Sequence, residues 1–360
     1  MTRLPKILRG TFFSLVILVL ASAVLFYLST WHPHDIEAAQ VVSTGEEPVL
    51  RQGQKIKILC WNVQFMAGKN YVFFFDEWDG SGPDIRPSPE DITRSFNEVA
   101  RIIREESPDV ILLQELDSGA KRTDREDQLT RLLKLLPEEY SVWTSAWYWK
   151  AAFVPHPQIM GSVGMKLGII SRYRMNGATR YQLPLMPNNV IMRNLQFKRA
   201  ALEAVFPVEG GSDFSAFSIH QDAFAQGSDT MQRQVDLVSS ILADREKKGG
   251  SWVIGGDFNL LPPGQAYNRL SEEEKPYFQS ESEIQRLYTE FAGWPTLGDV
   301  NGPDAKHFFT HWPNYGTEPD RTLDYYFTGK NIEVESYRVR THDTLTVSDH
   351  FPFILECIIP

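Results

Sequence analysis

Short apolar runs that end in polar residues alternate with amphipathic segments over most of this chain. Seven runs rich in Val, Ile, Leu and Phe follow Lys55, at 57–62, 109–117, 167–173, 214–220, 251–259, 322–327 and 349–359. Runs of this length and composition predict strands buried on both faces. Three segments with apolar residues at helical spacing lie between them, at 88–107, 125–139 and 230–248. This order predicts one α/β domain over 55–360, with sheets inside and helices outside.

The N-terminal pattern is different. Basic residues at 1–10 precede an uncharged stretch, Gly10 to Trp31, which is apolar enough to cross a membrane as a helix of about 20 residues. We predict a transmembrane anchor over 11–31, with the basic flank in the cytoplasm and the rest of the chain on the exported (periplasmic or extracellular) side. Ala21-Ser22-Ala23 resembles a signal-cleavage site, which would give a secreted protein. The apolar run continues to Leu28, so an uncleaved anchor is favoured.

The segment 32–54 is polar and lacks periodicity, so it is predicted to be a linker.

The chain is acidic beyond its N-terminal segment. The first 34 residues contain three of the chain's 36 basic residues and no acidic residue, so residues 35–360 carry 33 basic and 46 acidic residues, a formal net charge of −13. Polyanion binding depends on Lys and Arg contacts to phosphates. The charge therefore disfavours a general nucleic-acid binder, although it leaves room for a local basic cleft.

The chain has two cysteines, and each lies in an apolar run. Buried free thiols are the plain expectation for Cys60 and Cys357. A disulfide would require the two runs to lie side by side. A zinc site is not expected, because the sequence lacks CxxC or paired Cys/His spacing.

Polar residues at the ends of the apolar runs form the candidate site. Ligand sites in α/β proteins collect where strands end and loops begin, whereas core packing alone would not place polar groups there seven times. The candidates are Asn62, Glu115, His220, Asp257, Asn259, Asp324, Asp349 and His350.

Each candidate also has a plain structural explanation. Glu115 beside Asn62 would suit Mg²⁺, a hard cation, but a carboxylate at a strand end can simply be solvated. Asp257 and Asn259 follow two glycines that allow close backbone approach. Strand periodicity would point both to the same side, where they could orient a water, and the alternative is an ordinary Asp/Asn turn.

The two histidines need partners to act in catalysis. His350 could serve as a general acid or base with Asp324 fixing its tautomer, or could be a surface histidine. His220 could stabilise phosphoryl charge as a cation, or could be a structural histidine.

Seven short motifs, in order, resemble the endonuclease/exonuclease/phosphatase (DNase I-like) superfamily. This group includes nucleases, inositol-polyphosphate 5-phosphatases and neutral sphingomyelinases. The motifs are Trp61-Asn62, LQE (113–115), GIISRY (168–173), SIH (218–220), GDFN (256–259), LDYYF (323–327) and SDH (348–350). The resemblance extends from about Ile56 to Pro360. It implies a four-layer α/β sandwich, two packed mixed sheets flanked by helices, and a phosphoester hydrolase that uses Mg²⁺ or Mn²⁺.

The resemblance also implies a role for each candidate. Asn62 and Glu115 would hold the metal, and Asp349 would assist the metal or orient the site.

The remaining candidates would perform the hydrolysis. Asp257 would activate the attacking water and Asn259 would contact the phosphate. His220 would stabilise the transition state. Asp324 would pair with His350 in acid/base chemistry.

The chain departs from the family pattern in places that bear on substrate choice. Many members have Asn-Thr-His-Leu where this chain has Ser218-Ile219-His220-Gln221, and the segments 63–91 and 143–160 are long and aromatic. Both are expected as loops at the site entrance. Lys121 and Arg122 could contact a phosphate, although exposed charges beside a helix are ordinary.

The aromatic residues of these segments are either core or an apolar rim that meets a bilayer. They are Tyr71, Phe73, Phe74, Phe75, Trp147, Tyr148 and Trp149. With the anchor and the acidic charge, the rim favours a lipid headgroup as substrate. The enzyme is expected to be a monomer. The alternatives are an exported nuclease, a phosphatase acting on soluble phosphates, and a catalytically silent binding domain.

Overall fold

The computed structural model of the chain describes residues 4–71, 86–223, 225, 227–313 and 316–360. The α-helices of this part are α1 Leu4–Ser29, α2 Pro89–Glu106, α3 Gln128–Leu133, α4 Val190–Leu195, α5 Thr230–Lys247, α6 Ala266–Arg269, α7 Gln285–Glu290 and α8 Leu297–Asn301. The first eight strands are β1 Ile36–Ala39, β2 Val41–Ser43, β3 Leu50–Arg51, β4 Lys55–Asn62, β5 Val110–Asp117, β6 Val142–Val154, β7 Gly161–Ser171 and β8 Gly177–Gln182. The other eight are β9 Ala200–Phe206, β10 Val208–Glu209, β11 Phe214–His220, β12 Ser251–Asp257, β13 Ala292–Trp294, β14 Asp324–Thr328, β15 Glu333–Val339 and β16 Phe353–Ile358.

Two seven-stranded mixed sheets form the centre of the described structure. One has the order β15-β16-β4-β5-β7-β6-β2, and the other has the order β1-β8-β9-β11-β12-β14-β13. One apolar cluster joins residues of both sheets. A second packs α2 and α3 on the first sheet, and a third packs α5 and α7 on the second. The layers are therefore helix, sheet, sheet and helix, which confirms the predicted four-layer α/β sandwich.

Two of the three helix predictions are accurate, since 88–107 forms α2 and 230–248 forms α5. The Ser88 side chain accepts a hydrogen bond from the backbone N–H of Asp91 at 3.1 Å and starts α2. The predicted helix over 125–139 is too long. Its N-cap is Asp127, and it ends at Leu133 because the region before Pro137 disfavours helical backbone.

The linker prediction for 32–54 is corrected by strand pairing. β1 pairs with β8 at an edge of one sheet, and β2 pairs with β6 at an edge of the other. These strands are short and sit at sheet edges. Short edge strands bury little apolar surface, so the sequence of 32–54 shows no strong apolar alternation. The segment is nevertheless part of the folded domain.

The prediction that 143–160 is an entrance loop is also wrong, because most of it forms β6. Tyr148 and Trp149 are buried, so they belong to the core rather than to an apolar rim. Trp147 is partly buried beneath the Nζ groups of Lys150 and Lys166. Phe73, Phe74 and Phe75, with much of the segment 63–91, lie outside the described residues.

The two cysteines are buried free thiols, as predicted. Their strands, β4 and β16, are neighbours, but the antiparallel register places Cys60 opposite Phe353 and Cys357 opposite Ile56. The two strands therefore lie side by side, as a disulfide would require, but the two cysteines are not opposite each other.

Candidate active site

Strand register brings three of the predicted residues into one row. β11 and β12 are parallel, with His220 opposite Asp257. β12 and β14 are antiparallel, with Asp257 opposite Asp324. The two glycines before Asp257 allow this close pairing, because a Cβ on Gly256 would lie 2.0 Å from the carbonyl oxygen of Ile219.

The other sheet contributes Asn62 and Glu115. The parallel strands β4 and β5 place Asn62 opposite Gln114. The register of β5 against β7 then shifts between Leu113 and Leu116, and Glu115 has a positive φ of 59°. Such a bulge re-aims a side chain, and left-handed backbone at a non-glycine residue is typical of functional sites. The bulge turns Glu115 towards Asn62, whose Nδ2 donates to its Oε1 at 3.0 Å.

Asp349 and His350 lie in the loop before β16, not in the strand itself. The Trp61 indole N–H donates to the backbone oxygen of His350 at 2.9 Å. The Ser348 hydroxyl donates to the backbone oxygen of Asn62 at 2.8 Å, and the Asp349 backbone N–H donates to Oε1 of Gln64 at 3.1 Å. These bonds fix the loop against the end of β4.

Oδ2 of Asp257 is the point where the two halves of the site meet. It lies 3.2 Å from Asn62 Nδ2, 3.3 Å from His220 Nε2 and 3.6 Å from His350 Nε2. Burial raises the pKa of Asp257 to about 7, against a smaller lowering by the nearby His350. A carboxylate with such a pKa can take up a proton near neutral pH.

His350 is held as a cation by two carboxylates. Its Nδ1 lies 2.7 Å from Oδ2 of Asp324, and the Asp324 backbone N–H donates to the Thr310 hydroxyl at 3.0 Å. Burial lowers the pKa of His350, but Asp324 and Asp257 outweigh this and leave the pKa well above its usual value.

The pKa of His220 is shifted in the opposite direction to that of His350, which favours a neutral ring over the predicted cation. Burial and then the positive charge of Arg199 hold the pKa of His220 well below its usual value. Its ring packs edge-on against Tyr148 with the ring centroids 5.4 Å apart. The lowered pKa favours a neutral imidazole, whose Nε2 lies 3.3 Å from Oδ2 of Asp257.

A divalent cation fits the carboxylates on the Glu115 side. Burial raises the pKa of Glu115, and the charge of Asp349 raises it further. Burial also raises the pKa of Asp349. Buried carboxylates that destabilise one another in this way favour a bound cation, and their oxygens are the ligands that Mg²⁺ and Mn²⁺ prefer. The amide of Asn62 is turned the other way, because its Oδ1 accepts from the backbone N–H of Gln64 at 3.1 Å.

Two further groupings in the described residues bring potential ligand atoms within 4.8 Å of one another. They are Asp257, Asp324 and His350, and His311, Asp349 and His350. The first contains the His350–Asp324 hydrogen bond, so these atoms already satisfy each other. The second shares Asp349 with the Glu115 side and extends the potential cation site towards His311.

Asn259 does not continue the strand periodicity. β12 ends at Asp257, and Asn259 has left-handed backbone with a φ of 53°. Its backbone N–H donates to Oδ1 of Asp257 at 2.9 Å, and its Nδ2 donates to the backbone oxygen of Gln221 at 3.2 Å. Asn259 thus orients Asp257 through the main chain.

The prediction that Lys121 and Arg122 could contact a phosphate is not supported by their contacts. Arg122 forms a two-pronged ion pair with the buried Asp117, at 2.8 and 2.9 Å. Nζ of Lys121 donates to the backbone oxygen of Met160 at 3.0 Å. Both charges are therefore engaged in holding loops.

Arg199 is a site residue that the sequence did not reveal. It is 7% exposed, lies over the rings of Tyr148 and Phe197, and has an Nη1 without a hydrogen-bond partner among the described residues. Its nearest carboxylate is Asp222, with Nε to Oδ1 at 3.5 Å. A buried guanidinium with an unsatisfied N–H is an anion-binding group.

His311 was also missed. Its ring centroid lies 4.7 Å from that of His350, and its backbone bridges to both Arg321 and His350. Burial and the charge of His350 hold the pKa of His311 well below its usual value. An isolated histidine in the segment FTHWP gives no sequence signal beyond its aromatic neighbours.

The fold is shared with solved structures of one class of hydrolase. A Beutenbergia cavernae endonuclease/exonuclease/phosphatase matches 86% of this chain and 72% of its own, with 19% identity and a TM-score of 0.57. A family protein from Leptotrichia buccalis matches 84% and 99%, with 17% identity and a TM-score of 0.54. The catalytic domain of human Nocturnin matches 89% and 97%, with 15% identity and a TM-score of 0.52. At these identities the likeness shows the fold.

The sequence comparison assigns the family. Residues 59–350 match the model of the endonuclease/exonuclease/phosphatase family, and the chain belongs to that family. Its members are metal-dependent phosphoester hydrolases. No curated protein is similar in sequence to this chain.

Proposed function

We propose that the chain is a membrane-anchored, metal-dependent phosphodiesterase that acts on a lipid headgroup on the exported side of the membrane. The observation that carries the hydrolytic part is the convergence on Oδ2 of Asp257. One carboxylate with a raised pKa faces an amide N–H, a neutral imidazole and a protonated imidazole within 3.6 Å. Such a centre can accept a proton from water beside groups that stabilise developing negative charge.

The cation would be held by Glu115 and Asp349, with Asn62 orienting Glu115. Bound there, Mg²⁺ or Mn²⁺ would neutralise charge on the phosphoryl oxygens. Burial lowers the pKa of the neighbouring Lys69, and its Nζ donates to the backbone oxygen of Pro313 at 3.2 Å.

Asp257 is the base of the proposed reaction. A water oxygen would form a bond to phosphorus while a water proton passes to Oδ2 of Asp257. The bond from phosphorus to the leaving oxygen would break at the same centre. His350 would donate its Nε2 proton to that oxygen, and Asp324 would hold the resulting imidazole in place through Nδ1.

Arg199 and His220 would bind the phosphoryl group. Arg199 supplies a buried positive charge and an N–H that has no hydrogen-bond partner among the described residues, and its charge lowers the pKa of both Glu115 and His220. An oriented donor of this kind contributes about 3–4 kcal/mol to transition-state stabilisation when it meets developing charge.

The lipid assignment is supported by the N-terminal helix and the charge. The part Arg9–Ser29 of α1 is long and apolar enough to span a membrane, which a cleaved signal sequence would also be. An acidic chain is poorly suited to polyanionic nucleic acid. The second candidate is a nuclease or phosphatase of nucleic-acid ends, since a Neisseria 3′ phosphatase bound to a DNA hairpin shares the fold, with 16% identity and a TM-score of 0.51 over 83% of this chain and 98% of its own.

A substrate panel tests the proposal. The full chain in lipid nanodiscs would be assayed on sphingomyelin, phosphatidylinositol, plasmid DNA and inositol phosphates, with Mg²⁺ and with EDTA. Asp257→Asn is the inactive variant, and Asp244→Asn on the exposed face of α5 is its matched control. We expect lipid hydrolysis that EDTA and Asp257→Asn abolish. Cleavage of DNA without lipid would overturn the substrate, and activity that survives EDTA would overturn the mechanism.

A further inference from the structure

Exposed apolar side chains gather on one part of the surface. Outside α1, the large apolar residues that are exposed in the described chain are Ile36, Phe153, Met160, Val190, Ile191 and Met192. We call this set the apolar face. Its members lie on β6, on the turn between β6 and β7, or on β1 and α4, which both contact β6. Soluble proteins rarely leave such residues exposed together unless the surface meets a partner.

The apolar face is a built feature rather than a frayed loop. The Asn189 side chain accepts from the backbone N–H of Met192 at 3.0 Å and caps α4. The Trp149 indole N–H donates to the backbone oxygen of Leu195 at 2.8 Å and ties the other end of α4 to β6. Val190 and Ile191 are 72% and 60% exposed on this fixed helix.

The end of α1 is tied to the same strand. Phe26, one turn before the helix ends, packs against the core between the sheets. Thr30 forms a β-bridge with Ala151 of β6. The Trp31 ring lies beneath the guanidinium of Arg180, 4.8 Å from its centroid. These contacts fix the end of α1 to the domain at β6, the strand that also carries part of the apolar face.

The charge around the apolar face favours a lipid surface over a second copy of this chain. The chain has a net charge of −10, yet the segments 142–166 and 183–199, which carry every member of the apolar face except Ile36, contain no acidic residue. Ile36 lies at the edge of the face between Asp35 and Glu37. Lys150 and Arg193 are exposed next to the apolar positions. Basic residues beside inserted apolar side chains are typical of segments that lie in the interface of anionic bilayers.

We propose that the apolar face is a second membrane contact, which inserts into the interface of the bilayer that α1 crosses. The contact would fix the orientation of the domain as well as its distance from the membrane. Adjacent residues of β6 connect it to the candidate active site, because Tyr148 contacts the ring of His220 while Trp149 supports α4. The active site is thereby held close to the lipid surface. This inference rests on α1 being retained as a span and not on the substrate.

Depth measurement tests the proposal without reference to catalysis. Ile191→Cys and Phe153→Cys would each be labelled with the fluorophore NBD in the full chain, in nanodiscs that contain anionic lipid. Lys330→Cys is the matched control, since Lys330 is exposed on the loop after β14. Cys60 and Cys357 are buried, so the unsubstituted chain reports background labelling. Thermal melting of each variant verifies the fold.

We expect blue-shifted emission at positions 191 and 153, with several-fold stronger quenching by doxyl-labelled lipids than at position 330. Emission and quenching equal to those at position 330 would overturn the proposal. A blue shift without lipid quenching would also overturn it, because that result indicates a protein partner such as a second copy. If the probes insert as expected but the chain does not hydrolyse lipid, the proposed function is overturned and the membrane contact of the apolar face stands.

Discussion

His350 and Asp324 are joined by a 2.7 Å hydrogen bond between Nδ1 and Oδ2, although they lie 26 residues apart in the chain. Asp324 begins β14 of one sheet, and His350 precedes β16 of the other. The bond therefore links the two sheets at the candidate site. It also fixes which ring nitrogen faces Asp257, since Nε2 is then the atom 3.6 Å from Oδ2 of that residue.

Asp324→Asn should remove the charge that keeps His350 protonated. The pKa of His350 would fall, because Asp324 is the largest of the groups that raise it. We expect kcat to fall about 100-fold or more, as for the loss of an oriented acid/base group. The alkaline limb of the pH–rate profile should also move to lower pH. Steady-state kinetics across pH measure both effects, with Asp304→Asn as the exposed control.

If Asp324→Asn leaves the alkaline limb where it is in the unsubstituted enzyme, His350 is not the group that titrates there. The pairing would then have only a structural role.

Activity should rise with pH through the neutral range. The pKa of Asp257 is raised to about 7 by burial, so the carboxylate form that accepts a proton is lost as pH falls below that value. The acid limb of kcat/KM should show this titration. It should move to lower pH as the metal concentration increases, because a nearby cation favours the carboxylate.

The same shift has a consequence for stability with the opposite sign. Asp257 has a higher pKa folded than its usual 3.8, so its stabilising contribution is present at low pH and is lost as pH rises towards about 7. In EDTA, the free energy of unfolding of Asp257→Asn should fall less between pH 3.8 and about pH 7 than that of the unsubstituted chain. The variant should also be inactive. Denaturant unfolding at a series of pH values measures this, and identical slopes for the two proteins would contradict it.

Arg199→Gln should weaken phosphoryl binding without unfolding the chain. We expect kcat/KM to fall about 100-fold, as for the loss of one oriented donor. Inhibition by inorganic phosphate should weaken in parallel. Arg199→Lys should recover part of the activity, because it keeps the charge but not the planar fork. Arg233→Gln on the exposed surface of α5 is the control, and unchanged phosphate inhibition in Arg199→Gln would rule out the contact.

Gly256→Ala should damage the row that holds His220 and Asp257. The added Cβ would lie 2.0 Å from the backbone oxygen of Ile219, so the strands must separate. We expect a loss of about 1–3 kcal/mol in the free energy of unfolding, as for overpacking in a core. Gly177→Ala in β8 is the matched control, because no atom of the described residues lies within 4 Å of a Cβ placed there. Equal chemical-denaturation midpoints for the two variants would contradict the close approach.

The sequence predicts the site best where strands run parallel. Asn62, His220 and Asp257 follow apolar runs, and parallel pairing brings the ends of β4 and β5, and of β11 and β12, to the same edges. Arg199 was missed because it precedes a strand. β9 is antiparallel to β11, so its first residue, Ala200, lies opposite His220. An antiparallel strand places its first residues, not its last, at this edge of the sheet. A search for polar residues at strand ends therefore misses them.

Other errors of sequence interpretation have a related cause. The segment 143–160 is unusually aromatic and departs from the family pattern, which predicts an entrance loop, yet pairing with β7 makes most of it a strand. The polar segment 32–54 supplies edge strands, which need little apolar surface. The anion-binding character of Arg199 depends on contacts with distant strands, which no local pattern records.

The central claim is that a bound divalent cation and the pair Asp257 and His350 hydrolyse phosphoesters. The most direct measurement is the rate of bis(p-nitrophenyl) phosphate hydrolysis by the full chain after EDTA treatment, before and after addition of Mg²⁺ or Mn²⁺. We predict hydrolysis that depends on the added metal, with a loss of about 100-fold or more in His350→Ala. Hydrolysis that proceeds equally in EDTA, or that His350→Ala leaves intact, would contradict the account.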